Sequence, residues 1–147
     1  ERLKDLKFGS TRRGIAPVYG DKYLKKGIRM GDLKNKDALK DNLIQLVEWK
    51  NLLIAGGYKS SEINAEEIWS WLMKYSADFE SFICDTGIFL DNAVKAGKKI
   101  MFEAQLGALR DIDFGIYPYT SSSSTIAAYA PIGSESRDIS FQIQSVS

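Results

Sequence analysis

The chain has 147 residues, 44% hydrophobic and 27% charged, with a formal net charge of +1. That length suits one domain with one core, the near-neutral total gives no reason to expect polyanion binding, and no stretch approaches the apolar length of a membrane span. The lone Cys84 excludes an intrachain disulfide, and with no histidine to activate it the thiol reads as a packed structural residue in a reducing compartment.

Glu1 to Phe8 is short and mixed, more like the tail of an element than the start of a fold, and it carries no secretory signal. Gly9-Ser10-Thr11-Arg12-Arg13-Gly14 then forms a loop whose backbone amides can approach an anion closely. Pro17 sits where a proline can open a helix, its missing N–H having no intrahelical acceptor there. Lys22, Lys25, Lys26 and Arg29 recur at spacings of three and four, so they would share one helical face as far as Gly27, the expected terminator. Between Gly9 and Asp32, six Lys/Arg against two Asp leave about +4, a local patch that suits a small phosphorylated ligand better than a duplex. A solvated basic face beside a turn would have the same composition.

Asn35 or Asp37 can cap a helix with Leu39, Leu43, Leu46 and Leu53 near helical spacing, stopped by Gly56-Gly57. Asn64 with Glu67 opens a second, lined by Ala65, Ile68, Leu72 and Tyr75, with Trp69 and Trp71 as core aromatics. Ser76 or Asp78 starts a third, through Phe79, Phe82, Ile83, Thr86, Leu90 and Val94 to Gly97. Lys98 to Glu103 reads as a short buried strand, half of a βαβ unit. Beyond it the chain looks irregular. Thr120 to Thr125 is a row of six hydroxyl residues with the composition of a linker, yet Phe114, Tyr117 and Tyr119 just before it are not linker residues. Asp111 and Asp113 read as turn and capping groups rather than a catalytic or metal pair. Residues 136–147 alternate apolar and polar, like an exposed strand or a disordered tail.

Two blocks resemble the adenylosuccinate synthetases. GSTRRGIAPVYGDKYLKKGIRMGDL, from Gly9 to Leu33, is similar to that family's G-[ST]-T-x-R-G-I-x-P-x-Y-x-D-K, basic pair, G-[IL]-R and closing D-L. FEAQLGALRDIDFGIYPYTSSSST, from Phe102 to Thr125, resembles F-E-G-A-Q-G-x-x-L-D-I-D-x-G-T-Y-P-[FY]-V-T-S-S-N-T-T. The likeness covers roughly Lys7 to Gly133. It implies a predominantly helical piece of a larger α/β synthetase fold: three long helices, a short strand and irregular C-terminal loops. The expected domains are residues 1–133, a central IMP-binding and dimerisation segment, and 134–147, a divergent tail.

The resemblance implies a cytoplasmic, homodimeric ligase of purine biosynthesis. Such enzymes join aspartate to IMP with GTP and Mg2+ through a 6-phosphoryl-IMP intermediate; no membrane or nucleic-acid partner is expected. It places Thr11 on the IMP phosphate, with Ser121 or its neighbour Thr120 as a second hydroxyl. Gln105 matches the family's nucleotide-contacting glutamine, although counting back from Asp111-Ile112-Asp113 puts Leu106 in that register. Lys25, where the family has arginine, and Arg29 would reach the partner subunit's phosphate; lysine keeps the charge and loses the bidentate fork. No residue is assigned to catalysis or to a metal. The sequence holds no G-x-x-x-x-G-K-[ST] run and no histidine, so the 147 residues alone are expected to be inactive. The rival expectation is a helical scaffold or dimerisation fragment that binds no nucleotide.

Overall fold

The computed structural model describes residues 11–134, which are helical with no strand among them. They cluster into two units, Gly20–Cys84 and residues 11–19 with 85–134, where the length had pointed to one core. α1 (Ile15–Tyr23) begins in one and ends in the other, with Pro17 inside its first turn rather than at its start.

In Gly20–Cys84 the core is built on α2 (Lys36–Asn51). Its N-cap is Asn35, whose side chain accepts from the Ala38 N–H at 3.3 Å. Leu39, Leu43 and Val47 follow at helical spacing and are buried, and Leu33, from a short 3-10 turn (Met30–Lys34), joins them. α2 continues as a wider π turn over Leu52–Gly57, so the two glycines do close this helix. α3 (Ala65–Ser76) packs against α2 and is capped by Asn64, which accepts from the N–H groups of Glu66 and Glu67 at 2.8 and 3.4 Å. Between them the Asn51 amide pairs with both backbone groups of Ile63 at 2.9 Å, pinning the connecting loop.

Three expectations about this unit fail. α1 stops at Tyr23 because Lys25 turns left-handed (φ 58°) and the N–H groups of Lys26 and Gly27 close back on the Asp21 carbonyl at 2.9 and 3.2 Å. The four cations therefore do not share one helical face. Trp71 is 61% exposed, tilted against Tyr75 at 5.2 Å, and Trp69 is half-buried under Lys40, because residues two apart lie on opposite sides of a helix and cannot both face one core. Cys84 is exposed rather than packed: the expected third helix breaks after Ser76 into a 3-10 turn (Glu80–Phe82), leaving Cys84 in the link that follows.

In the other unit, α4 (Thr86–Lys95) is capped by Asp85, which accepts from the Ile88 N–H at 3.0 Å, and it packs on α5 (Tyr129–Ser134). Gly97 (φ 71°) ends it, with its N–H on the Val94 carbonyl at 2.8 Å and that of Lys98 on Ala93 at 3.0 Å. Replacing Gly97 with alanine is expected to cost about 1 kcal/mol, because the left-handed conformation then carries a Cβ. A denaturation midpoint followed by circular dichroism checks this, and an unchanged midpoint refutes it.

Lys98 to Glu103 is not a strand. Met101 is 86% exposed, and the segment has no neighbouring strand among the described residues to satisfy its backbone groups. The readings of Glu1 to Phe8 and of residues 136–147 lie outside the described residues.

Candidate functional site

The hydroxyl row is folded onto one carboxylate. Asp111 is 1% exposed. Its Oδ1 accepts from the N–H groups of Asp113 and Phe114 at 3.0 and 3.1 Å, and its Oδ2 from that of Thr125 at 2.7 Å. A short polar side chain bonding backbone two and three residues on makes a tight turn, and the third bond ties that turn to the far end of the row. The Thr125 N–H does most to hold the Asp111 carboxyl below its ordinary range; burial opposes it, and the N–H groups of Asp113, Phe114 and Ile126 add to the lowering. Asp111 is thus a structural anchor, in keeping with its reading as a turn group.

Gly115 is required beside it. Its N–H donates to the Asp111 carbonyl at 2.9 Å, and a Cβ there would overlap that oxygen and lie 2.5 Å from the Leu109 carbonyl oxygen. Thr125 closes the loop from the other side, its hydroxyl donating to the Gly107 carbonyl at 2.7 Å. Leu106 and Gly107 take left-handed conformations (φ 66° and 82°) to bring that carbonyl round.

Within this frame the structure brings two of the expected site residues together. The Gln105 amide donates to the Ser123 hydroxyl, which shares a 3.1 Å hydrogen bond with that of Ser121. Ser123 is buried at the centre of this row and was not singled out from the sequence; its only signal was the aromatic run before the serines. Ser121 is further fixed by its N–H on the Arg110 carbonyl at 2.7 Å, and the Arg110 guanidinium donates to the Tyr119 carbonyl, also at 2.7 Å. Thr120, between those two anchors, is half-buried. Thr11 is exposed, next to Arg12, which is left-handed (φ 54°).

Lys25 and Arg29 belong to the other unit and are described there alone. Both are exposed, and Lys25 lines a cavity of about 230 Å³ with Lys26, Asn42, Gln45 and Leu46. The turn that carries Lys25 is held by Asp21, whose carboxylate pairs with Lys50 at 2.5 Å in a largely buried contact. Trp49 lies under both Lys26 and Lys50, with ammonium groups 5.2 and 4.6 Å from the ring centroid. Arg29 caps the 3-10 turn, its N–H donating to Asp32 Oδ2 at 2.8 Å. Among the described residues no group of three or more His, Cys, Asp or Glu is placed to hold a metal ion. No described helix is long and apolar enough to cross a membrane.

Comparison with known proteins agrees with the sequence blocks. The family model described as adenylosuccinate synthetase matches residues 1–144. Adenylosuccinate synthetase 2 of Pseudoalteromonas translucida is 44% identical over 135 residues, 90% of this chain and 32% of its own length. The adenylosuccinate synthetase of Bacillus cytotoxicus is 37% identical over 134 residues, 91% of this chain and 31% of its own. A solved structure of fully ligated adenylosuccinate synthetase from Plasmodium falciparum superposes with a TM-score of 0.79 at 32% identity, covering 90% of this chain and 30% of that one. The chain thus spans about a third of the length of the curated relatives it matches.

Proposed function

Since the chain belongs to the adenylosuccinate synthetase family, we propose that it carries the IMP-phosphate contacts and part of the dimer surface of a cytoplasmic ligase that joins aspartate to IMP in purine biosynthesis. In this reading it is the central helical part of an α/β synthetase, residues 1–133 forming that part and 134–147 a divergent tail. The observation that carries the proposal is the hydrogen-bonded row Gln105, Ser123 and Ser121, set in a loop that Asp111 holds in one conformation.

A phosphate dianion has acceptors only, so it needs donors and positive charge. The Ser121 hydroxyl supplies one donor, with Thr120 beside it. Thr11 supplies a second hydroxyl from the preceding loop, and Gln105 orients the nucleotide through its amide. Lys25 and Arg29 bring positive charge to the phosphate of a partner subunit. Each charge-assisted hydrogen bond contributes roughly 1.5–3 kcal/mol when well formed, so three or four suffice for selective binding. A site shared between subunits also couples ligand binding to dimerisation.

GTP and Mg2+ supply the phosphoryl transfer in this family. Among the described residues no group of three or more His, Cys, Asp or Glu is placed to hold that ion.

Two measurements test the reading. Titrating IMP into the chain should give saturable amide shifts at Thr11 and Ser121; flat spectra would leave only a scaffold. Incubating the 147 residues with IMP, aspartate and GTP should yield no adenylosuccinate, and detectable turnover would contradict the expected division of labour.

A further inference from the structure

The family pattern has leucine immediately before D-I-D, and this chain has Arg110 there. The exchange places a guanidinium in the loop that holds Ser121. Arg110 is doubly tied to that loop: its carbonyl accepts the Ser121 N–H and its Nη1 donates to the Tyr119 carbonyl, both at 2.7 Å, so its two contacts bracket Thr120. One of five guanidinium N–H donors is thereby used. Among the described residues Arg110 makes no ion pair, and the neighbouring Asp111 carboxylate is buried and occupied by backbone N–H groups. The side chain is exposed, anchored beside the hydroxyl row and without a counter-charge.

We propose that Arg110 is a further anion contact of the Ser121 loop, giving this chain a phosphate-binding cation at a position where the family pattern has leucine. The inference rests on the IMP reading above and extends it. A planar guanidinium held by one N–H to a carbonyl keeps an edge free to pair with two phosphate oxygens, a geometry a leucine cannot offer. It also offsets the family's arginine having become Lys25, a point charge without the fork.

The test uses the whole chain and three probes: IMP, inosine and inorganic phosphate. Arg110→Leu, which restores the family residue, is expected to weaken IMP about tenfold at low salt, with Arg110→Lys intermediate and inosine unaffected, since the contact is to phosphate. The loss should shrink as ionic strength rises, because the site is exposed. Inorganic phosphate alone should shift the Arg110 Nε–H resonance of the parent chain, a readout that requires no variant to fold. Unchanged IMP affinity in Arg110→Leu, with Ser121→Ala weakened, overturns the role of Arg110 and leaves the IMP site standing. Absence of any saturable shift at Ser121 in the parent chain removes both.

Discussion

Truncating Leu39 to alanine is expected to destabilise the Gly20–Cys84 unit by about 2–5 kcal/mol, the range for emptying a fully buried leucine site. Leu39 is 0% exposed and only Leu33, Leu43 and Val47 share the fully buried apolar interior among the described residues, so one truncation removes a large share of it. The total stability of a domain is about 5–15 kcal/mol, which makes the loss a substantial fraction. Trp49, Trp69 and Trp71 are the three tryptophans of the chain and all lie in this unit, so their fluorescence reports it selectively. A urea midpoint lowered by roughly 1 M or more is the expected reading, given slopes of about 1–3 kcal/mol/M. Leu39→Met, which nearly conserves volume, should cost less than about 1.5 kcal/mol. If both variants melt like the parent, α2 is not organised around this residue.

What could be read beforehand follows the range of the forces involved. Asn35 and Asn64 mark helix starts because a cap is local chemistry, settled within three residues. The apolar stripe of α2 is likewise written in its own spacing. The third helix misled because Phe79, Phe82 and Ile83 keep helical spacing, while Asp85 offers a stronger start four residues before Phe89 and claims the helix for itself. Burial was the least legible property. Trp71, Cys84 and Met101 look like core residues by type, but exposure depends on which element covers them, and no spacing encodes that.

The candidate site divides the same way. Two long blocks placed Ser121 and Gln105, and the structure joins them through a serine that no spacing rule had marked. Arg110, proposed above as a further contact, had no signal in the resemblance because it stands where the family pattern is apolar. Asp111 was legible as a turn group because acidic residues in loops commonly are, but the bond to Thr125, fourteen residues away, was not.

That long-range bond sets up the other large effect. Asp111→Asn is expected to unlatch the hydroxyl row while leaving its volume filled. The carboxylate accepts backbone N–H groups on both oxygens, whereas an amide offers one acceptor and turns its NH2 against the donors on the other side. Either the Asp113–Phe114 turn or the Thr125 N–H then loses its partner, and a buried N–H without an acceptor is costly. Faster amide exchange at Thr125 or Phe114, together with a changed Ser121 resonance, is the expected result. Acid should reproduce it in the parent chain. The Thr125 N–H and its companions hold the folded pKa of Asp111 below the unfolded value, so the stabilisation is fully present above the unfolded pKa and is lost as pH falls through the folded one. Exchange at Thr125 should therefore stay protected from neutral pH down through the ordinary carboxylate range and open only below it, while Asp111→Asn shows no such step. Identical acid profiles in the two chains would mean that the carboxylate does not hold the loop, and the ordered row on which the proposed phosphate site depends would need another cause.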